Sequence, residues 1–234
     1  MECRRGKCRV KEYNLEKKNP IINDPGSALT HFIGLLTAII VAIPLLIKAG
    51  REPSLIYMVS FSIYAMSLIL LYAASSAYHS FGKTKRIRKV LKKIDHIMIF
   101  VLIAGTYTPI CLLVLEEPVG LILLIVIWGI AFIGGIFKLF WVYCPKWVSS
   151  ILYIGMGWAC IFAFSHLWEA MTTGGFVWLL VGGIVYTIGG VLYALRLKVF
   201  KQRFKHFGSH EVFHLFVMGG SACHFIVMFI FVLP

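Results

Sequence analysis

The sequence predicts an all-α, polytopic membrane protein with seven transmembrane helices, a cytoplasmic N-terminus and a C-terminus outside. The first reason is composition, because the 234 residues are 59% hydrophobic and only 14% charged, whereas a soluble domain carries about 25% charged residues. The second is that seven uncharged segments reach the length of about 20 residues that a bilayer requires. The third is the placement of the basic residues, which sets the orientation.

The seven segments follow one another along a single membrane domain, predicted over residues 25–234. Residues 1–24 precede it as a basic cytoplasmic tail without an early apolar run, so we expect no cleavable signal peptide. The segments are Pro25–Ile47, Pro53–Gly82, His96–Leu115, Pro118–Phe137, Trp147–Trp168, Thr172–Leu195 and Val212–Pro234.

Basic residues between the segments predict the orientation. Of the 23 Lys and Arg residues, 21 lie in the N-terminal tail and in the loops after the second, fourth and sixth segments, and only Lys48 and Arg51 lie on the other side. Lys and Arg remain on the cytoplasmic side, so we expect the N-terminus inside and the C-terminus outside. We expect a multi-pass protein of the plasma membrane. The net charge of +13 is then a consequence of topology, and no nucleic-acid partner is expected. The six cysteines contain no CxxC pair and predict no disulfide framework.

Four ionisable residues are predicted at one depth near the cytoplasmic face, where such residues are rare and tend to be functional. His79 ends the second segment, Asp95 begins the third, and His210 and His214 open the seventh. A spacing of four residues puts the last two on one helix face, about 6 Å apart, which suits two ligands of one zinc ion. His79 is at the right depth to be the third ligand, and three histidines with one open position are typical of catalytic zinc.

Two further side chains complete a hypothetical hydrolytic site. Asp95 could accept a proton from the reacting water, and Ser75, one turn before His79, could orient a ligand or donate to a developing oxyanion. Plainer explanations stay open at this point. Asp95 can cap the third helix, His79 and His210 can be half-solvated interfacial residues, and Ser75 can be a small packing residue.

The segment His210–His214 also matches the HExxH motif of zinc proteases literally, with Glu211 in second place. That motif belongs to a soluble helix with its third ligand downstream on the same side. Here the next histidine, His224, is predicted about 15 Å deeper along a membrane helix. It cannot reach the same ion, so we reject the protease interpretation.

Seven motifs, in order along the membrane region, are similar to those of one family. They are SALTHFIG (Ser27–Gly34), SSAYH (Ser75–His79), DHIMIFVLIAGTYTP (Asp95–Pro109), IFKLF (Ile136–Phe140), YIGMGW (Tyr153–Trp158), VGGIVYTIGGVLY (Val181–Tyr193) and SHEVFHLFVMGGSACHF (Ser209–Phe225). With them the chain resembles the hemolysin III family, the bacterial branch of the progestin and adipoQ receptor group. More distantly it resembles the alkaline ceramidase-like hydrolases.

The resemblance implies a seven-helix bundle with an intramembrane zinc site near the cytoplasmic face. The family's zinc ligands fall on His79, His210 and His214, its water-positioning aspartate falls on Asp95, and its motif serine falls on Ser75. Two other histidines of the family pattern, His31 and His224, have no assigned role, and we expect both to be satisfied packing histidines. The family's acidic residues before the first segment correspond here to Asn23 and Asp24, without an assigned role.

Three functions are compatible with these observations. The first is a zinc-dependent hydrolase of a lipid amide or ester bond, whose membrane-lipid substrate enters from the bilayer. The second is a non-catalytic regulator of membrane lipid or fatty-acid composition, with a structural zinc ion. The third is the cytolytic activity that the family name implies, which we favour least because the chain has no predicted signal peptide and is not amphipathic overall.

Overall fold

Seven membrane-length helices form the structure, a computed structural model that describes residues 24–82, 84–195 and 208–234. No strand occurs in these ranges, and the predicted all-α class with seven membrane-length helices is confirmed. Of the predicted tail, only Asp24 lies within the described residues. The helices are α1 Pro25–Ala49, α2 Leu55–Ser80, α3 Lys85–Leu113, α4 Val119–Phe140, α5 Lys146–Ala170, α6 Thr173–Leu195 and α7 Ser209–Val232.

The third helix begins at Lys85, well before the predicted start at His96. The basic segment that we expected to be a loop is therefore helical, and its first turn is capped by Thr84, whose hydroxyl accepts a hydrogen bond from the amide of Ile87 at 3.2 Å. Lys and Arg are good helix formers, so the charges that end a hydropathy window do not end the helix. The preceding turn contains Gly82, whose φ of 133° is a conformation that favours glycine.

Two of the spans are not regular α-helices throughout. The α5 span is α-helical over Lys146–Gly157, tightens to a 3₁₀ turn over Trp158–Ala163 and resumes as an α-helix over Phe164–Ala170. At the tightened turn the hydroxyl of Tyr107 donates to the carbonyl of Gly157 at 2.6 Å and accepts from the amide of Cys160 at 2.9 Å. The side chain of a neighbouring helix thus satisfies backbone groups that the irregular turn exposes. The α7 span ends in a π-helical segment, Val227–Val232.

The helices pack in chain order around a ring that closes where α1 meets α7. At one end of this contact Lys48 donates to the carbonyls of Phe229 and Leu233, at 3.2 and 2.9 Å. The outward faces of the helices carry large exposed apolar side chains, such as Ile40 and Phe132. An apolar exterior on every side is the surface expected of a bundle in lipid. We call the end of the bundle that carries Arg88, Lys92 and Lys146 the basic end.

Glycine allows α3 and α4 to approach closely, as small residues do in membrane helix packing. A Cβ atom placed on Gly134 would lie 2.5 Å from the ring of Phe100, whereas one placed on Gly129, on the same helix, would meet nothing within 4 Å. We expect Gly134→Ala to destabilise the bundle by about 1–3 kcal/mol, the usual effect of overpacking, and Gly129→Ala to be neutral or stabilising. Thermal unfolding in detergent measures both. Equal melting temperatures for the two variants would contradict this packing.

Candidate metal centre

Three histidine side chains meet at the basic end of the bundle. His79 lies in the last turn of α2, and His210 and His214 lie one turn apart at the start of α7. One ring nitrogen of each can be chosen so that all three atoms lie within 4.8 Å of one another. The Nε2 atoms of His79 and His210 are 3.2 Å apart. Two nitrogens on one tetrahedral zinc ion, each about 2.05 Å from the metal, lie about 3.3 Å apart, so this spacing fits a metal site.

The other ring nitrogen of two of these histidines is held by a polar group from the start of α1. His79 Nδ1 faces the carboxylate of Asp24 at 3.4 Å. His214 Nδ1 faces the hydroxyl of Thr30 at 3.1 Å, and that hydroxyl donates its own proton to the carbonyl of Ser27 at 3.0 Å. This geometry suits a Thr30 hydroxyl that accepts from Nδ1 of His214. A proton on Nδ1 that is held by an outer partner, with Nε2 left free for the metal, is the arrangement found in metal-ligating histidines.

Asp24 is the residue at this site to which the sequence assigned no role. It precedes α1, and its amide also donates to the carbonyl of His79 at 3.1 Å. The hydrogen bond from His79 holds the pKa of the Asp24 carboxyl below its ordinary value. The feature of the sequence that could have identified Asp24 is a carboxylate immediately before the first membrane helix, at the depth of His79. What the sequence does not contain is the contact between two segments 55 positions apart.

Removal of the Asp24 carboxylate tests this arrangement. We expect Asp24→Ala to weaken zinc binding about 10- to 100-fold, the usual effect of losing the outer partner of a ligating histidine. Competition with a calibrated chelator measures the affinity. Glu169→Ala, which removes an exposed carboxylate at the opposite end of the bundle, serves as the matched control. An unchanged affinity in Asp24→Ala would show that Asp24 does not support His79.

Glu211 does not face the metal centre. Its carboxylate accepts from the amide of Gly208 at 2.7 Å and from the hydroxyl of Ser27 at 2.7 Å. It therefore caps the first turn of α7 and joins that turn to α1. This placement agrees with the rejection of the protease interpretation of HExxH.

Asp95 and Ser75 lie beside the histidines, on α3 and α2. Both are buried, and the two side chains are close enough to interact with each other, with His79 also near Asp95. Because α3 starts at Lys85, Asp95 lies well inside that helix. The expectation that it begins the third helix is wrong, and the explanation of Asp95 as a helix cap is excluded. The explanation of His79 as a half-solvated interfacial residue is also excluded, since its side chain is buried.

The expectation that His31 and His224 are satisfied packing histidines is wrong. The ring of His31 stacks on that of His214, with the centroids 3.6 Å apart. Neither of its ring nitrogens has a hydrogen-bond partner within the described part of the chain, and the same holds for Nδ1 of His224. Both side chains are more than nine-tenths buried. Close helix packing brought the rings inside the bundle without providing hydrogen-bond partners for these nitrogens among the described residues.

A cavity runs into the bundle from two histidines of the metal centre, His210 and His214. At the basic end it is lined by Ser75, Asp95 and the first turns of α7. It continues between α3, α5, α6 and α7 past Ile103 and Val217 to Phe176, near the opposite end of the bundle. Most of its lining is apolar, and its carboxylate, Asp95, lies at the basic end with His210 and His214. The shape and lining suit a molecule with one polar end and a long apolar chain.

The chain matches the family of haemolysin-III related proteins over residues 19–225. It is 39% identical to hemolysin-3 of Bacillus cereus over 208 residues, which cover 89% of this chain and 91% of that protein. It is 38% identical to the hemolysin-3 homolog of Bacillus subtilis over 199 residues, 85% of this chain and 89% of that protein. A more distant relative is the adiponectin receptor protein of Drosophila melanogaster, 23% identical over 86% of this chain and 49% of that protein.

These similarities agree with the seven apolar helices and with the resemblance to the progestin and adipoQ receptor group. The plasma membrane is the usual location of such proteins. The chain therefore belongs to the haemolysin-III related family of multi-pass membrane proteins.

Proposed function

We propose that this protein is a zinc-dependent hydrolase that cleaves an amide or ester bond of a membrane lipid at the basic end of the bundle. The observation that carries the proposal is a cluster of three histidines, two of which (His210 and His214) line a long, mostly apolar cavity beside a buried carboxylate and a buried serine. The bias of basic residues favours the cytoplasmic side for this end.

The three histidines fit zinc better than they fit a packing role. Their nitrogens are soft enough for zinc, their spacing suits tetrahedral coordination, and the partners of His79 and His214 support an unprotonated Nε2 on each. Three protein ligands leave one position open, as in catalytic sites. When bound, zinc would polarise a carbonyl group and lower the pKa of water at the open position.

Asp95 and Ser75 would carry out the proton transfer and charge stabilisation. A carboxylate in a buried position close to the histidines can accept the proton of the attacking water and return it to the leaving group. The Ser75 hydroxyl can hold Asp95 in position or donate to the oxygen that becomes negative during attack. Both side chains face the same cavity, so one bound substrate would contact both.

The cavity supports a lipid as the class of substrate. A lipid chain would lie along the apolar lining toward Phe176, with the scissile bond beside His210 and His214. The lipid chain would bind by burial of apolar surface. The polar groups at the basic end would fix the position of the scissile bond along the cavity. The resemblance to ceramidase-like proteins favours an amide bond over an ester.

Zinc-dependent release of fatty acid from vesicles tests the proposal. Purified protein would be reconstituted into phosphatidylcholine vesicles that contain ceramide, and fatty-acid release would be followed by mass spectrometry with zinc, with a chelator, and after zinc is restored. We expect release that stops with the chelator and resumes with zinc. Release that does not respond to zinc, or no release from a zinc-loaded folded protein with either amide or ester lipids, would overturn it.

The same vesicles test the cytolytic alternative, since an entrapped fluorescent dye would leak through a pore. Leakage that persists in the chelator, without fatty-acid release, would favour that alternative over the hydrolase. Vesicles that stay tight during zinc-dependent release are the expected result.

A further inference from the structure

His224 is a polar residue in the middle of the membrane region, and it takes no part in the proposed hydrolysis. It lies on α7, is 8% exposed and lines the cavity. Its Nδ1 has no hydrogen-bond partner among the described residues. Buried polar atoms are nearly always paired, and an unpaired one is unfavourable. Such a nitrogen beside a cavity requires an explanation.

The hydroxyl groups around His224 are occupied by one another. Its ring stacks on that of Tyr186, with the centroids 5.4 Å apart. The hydroxyls of Tyr186 and Tyr72 both pair with the hydroxyl of Ser221, each at 2.8 Å. These three hydroxyls form a closed group, and His224 stays outside it although Ser221 is one turn away on the same helix. On its other side the ring is against Gly182, where a Cβ atom would lie 2.9 Å from Nε2.

The position of His224 along the cavity is set by the helix that carries it. It follows His214 by ten residues, which corresponds to about 15 Å along the axis of α7. Both side chains line the same cavity, with Val217 between them. A lipid chain that extends from the metal centre along this cavity therefore passes His224 part-way along the length of the lipid.

We propose that His224 is a second recognition point, which binds a hydroxyl group carried part-way along the chain of the lipid. The inference rests on the proposed function in that it takes the cavity to hold a lipid chain. A hydroxyl fits because it both donates and accepts, so it pairs with either tautomer of the ring. A cationic group does not fit, since the carboxylate among the described lining residues that could neutralise it, Asp95, lies at the basic end.

Binding of a positional series of fatty acids tests the inference. The zinc-loaded protein in detergent would be titrated with stearic acid and with hydroxystearic acids that carry the hydroxyl at successive positions, by displacement of a fluorescent fatty acid. We expect the tightest binding when the hydroxyl lies about 15 Å from the carboxylate. The preference over stearic acid should be about 5- to 10-fold, the size of one net hydrogen bond.

Two variants assign the preference to His224. His224→Phe keeps a flat ring and removes the polar atoms, so it should lose the preference, retain stearic acid binding, and melt at the same or a higher temperature. A histidine with a structural role would instead lose stability on this change. Gly182→Ala displaces the ring without removing it and should also reduce the preference, and it replaces His224→Phe if that variant does not fold. His166→Phe, at an exposed position outside the cavity, is the control.

The outcomes separate this inference from the proposed function. Equal binding of all the acids by the wild type, or a preference that persists in both His224→Phe and Gly182→Ala, overturns the inference and leaves the hydrolase proposal intact. Failure of every acid to bind overturns the assignment of the cavity to a lipid chain, and the inference with it.

Discussion

Replacement of His210 and His214 together by alanine is expected to remove zinc from the protein. The wild type, purified in detergent and supplied with zinc, should contain about one zinc ion per chain, and the double variant close to none. The reason is that the double variant retains only His79 of the three convergent nitrogens, and one neutral histidine does not hold zinc against buffer. Metal analysis by mass spectrometry after removal of free zinc gives the stoichiometry.

The control for this experiment is His166→Ala, which removes an exposed histidine from α5 and should leave the zinc content unchanged. Circular dichroism and size-exclusion chromatography establish that the double variant is still helical and monodisperse. Retention of zinc by a folded double variant would place the metal elsewhere. A folded wild type that binds none would remove the hydrolase proposal at its first step.

Asp95→Asn is expected to reduce lipid hydrolysis at least about 100-fold, the lower limit of the usual contribution of a general base, while about one zinc ion per chain remains bound. Asparagine has nearly the shape of aspartate, so the packing of α3 against Ser75 and His79 should persist, but the amide cannot accept the proton of the attacking water. Fatty-acid release from vesicles and zinc content would be measured on the same preparation. Glu169→Gln is the matched carboxylate-to-amide control.

This variant also separates a hydrolase from a non-catalytic regulator with structural zinc. A regulator would tolerate Asp95→Asn and fail with His214→Ala, because only the second change removes a ligand. A hydrolase loses its effect on membrane lipid composition with either change. The fatty-acid composition of cells that express each variant distinguishes the two functions. Hydrolysis by the Asp95→Asn variant at the rate of the wild type would exclude Asp95 as the general base.

Much of the fold follows from local properties of the chain. In lipid, the backbone N–H and C=O groups of an uncharged segment of bilayer length are hydrogen-bonded within the segment when it forms a helix. Composition and segment length were therefore enough to predict all seven spans. The side-chain period of a helix likewise places His210 and His214 on one face without knowledge of any neighbour. Local patterns predict less well where the membrane ends, which is why the helical basic segment from Lys85 to Asp95 was expected to be a loop.

What only the tertiary structure decided concerns contacts between segments far apart in the chain. The sequence placed His79, Asp95, His210 and His214 at one depth, but depth alone leaves the position around the bundle open, and packing of α2 against α7 was needed to put Nε2 of His79 3.2 Å from that of His210. Asp24 meets His79 because α1 packs against α2, and Thr30 meets His214 because the ring closes between α1 and α7. Periodicity and hydropathy describe one helix at a time, whereas a hydrogen bond between helices depends on their relative rotation and register. The nitrogens of His31 and His224 that lack a partner within the described ranges are a further example, because the lack of a partner can be recognised only when the neighbouring helices are in place.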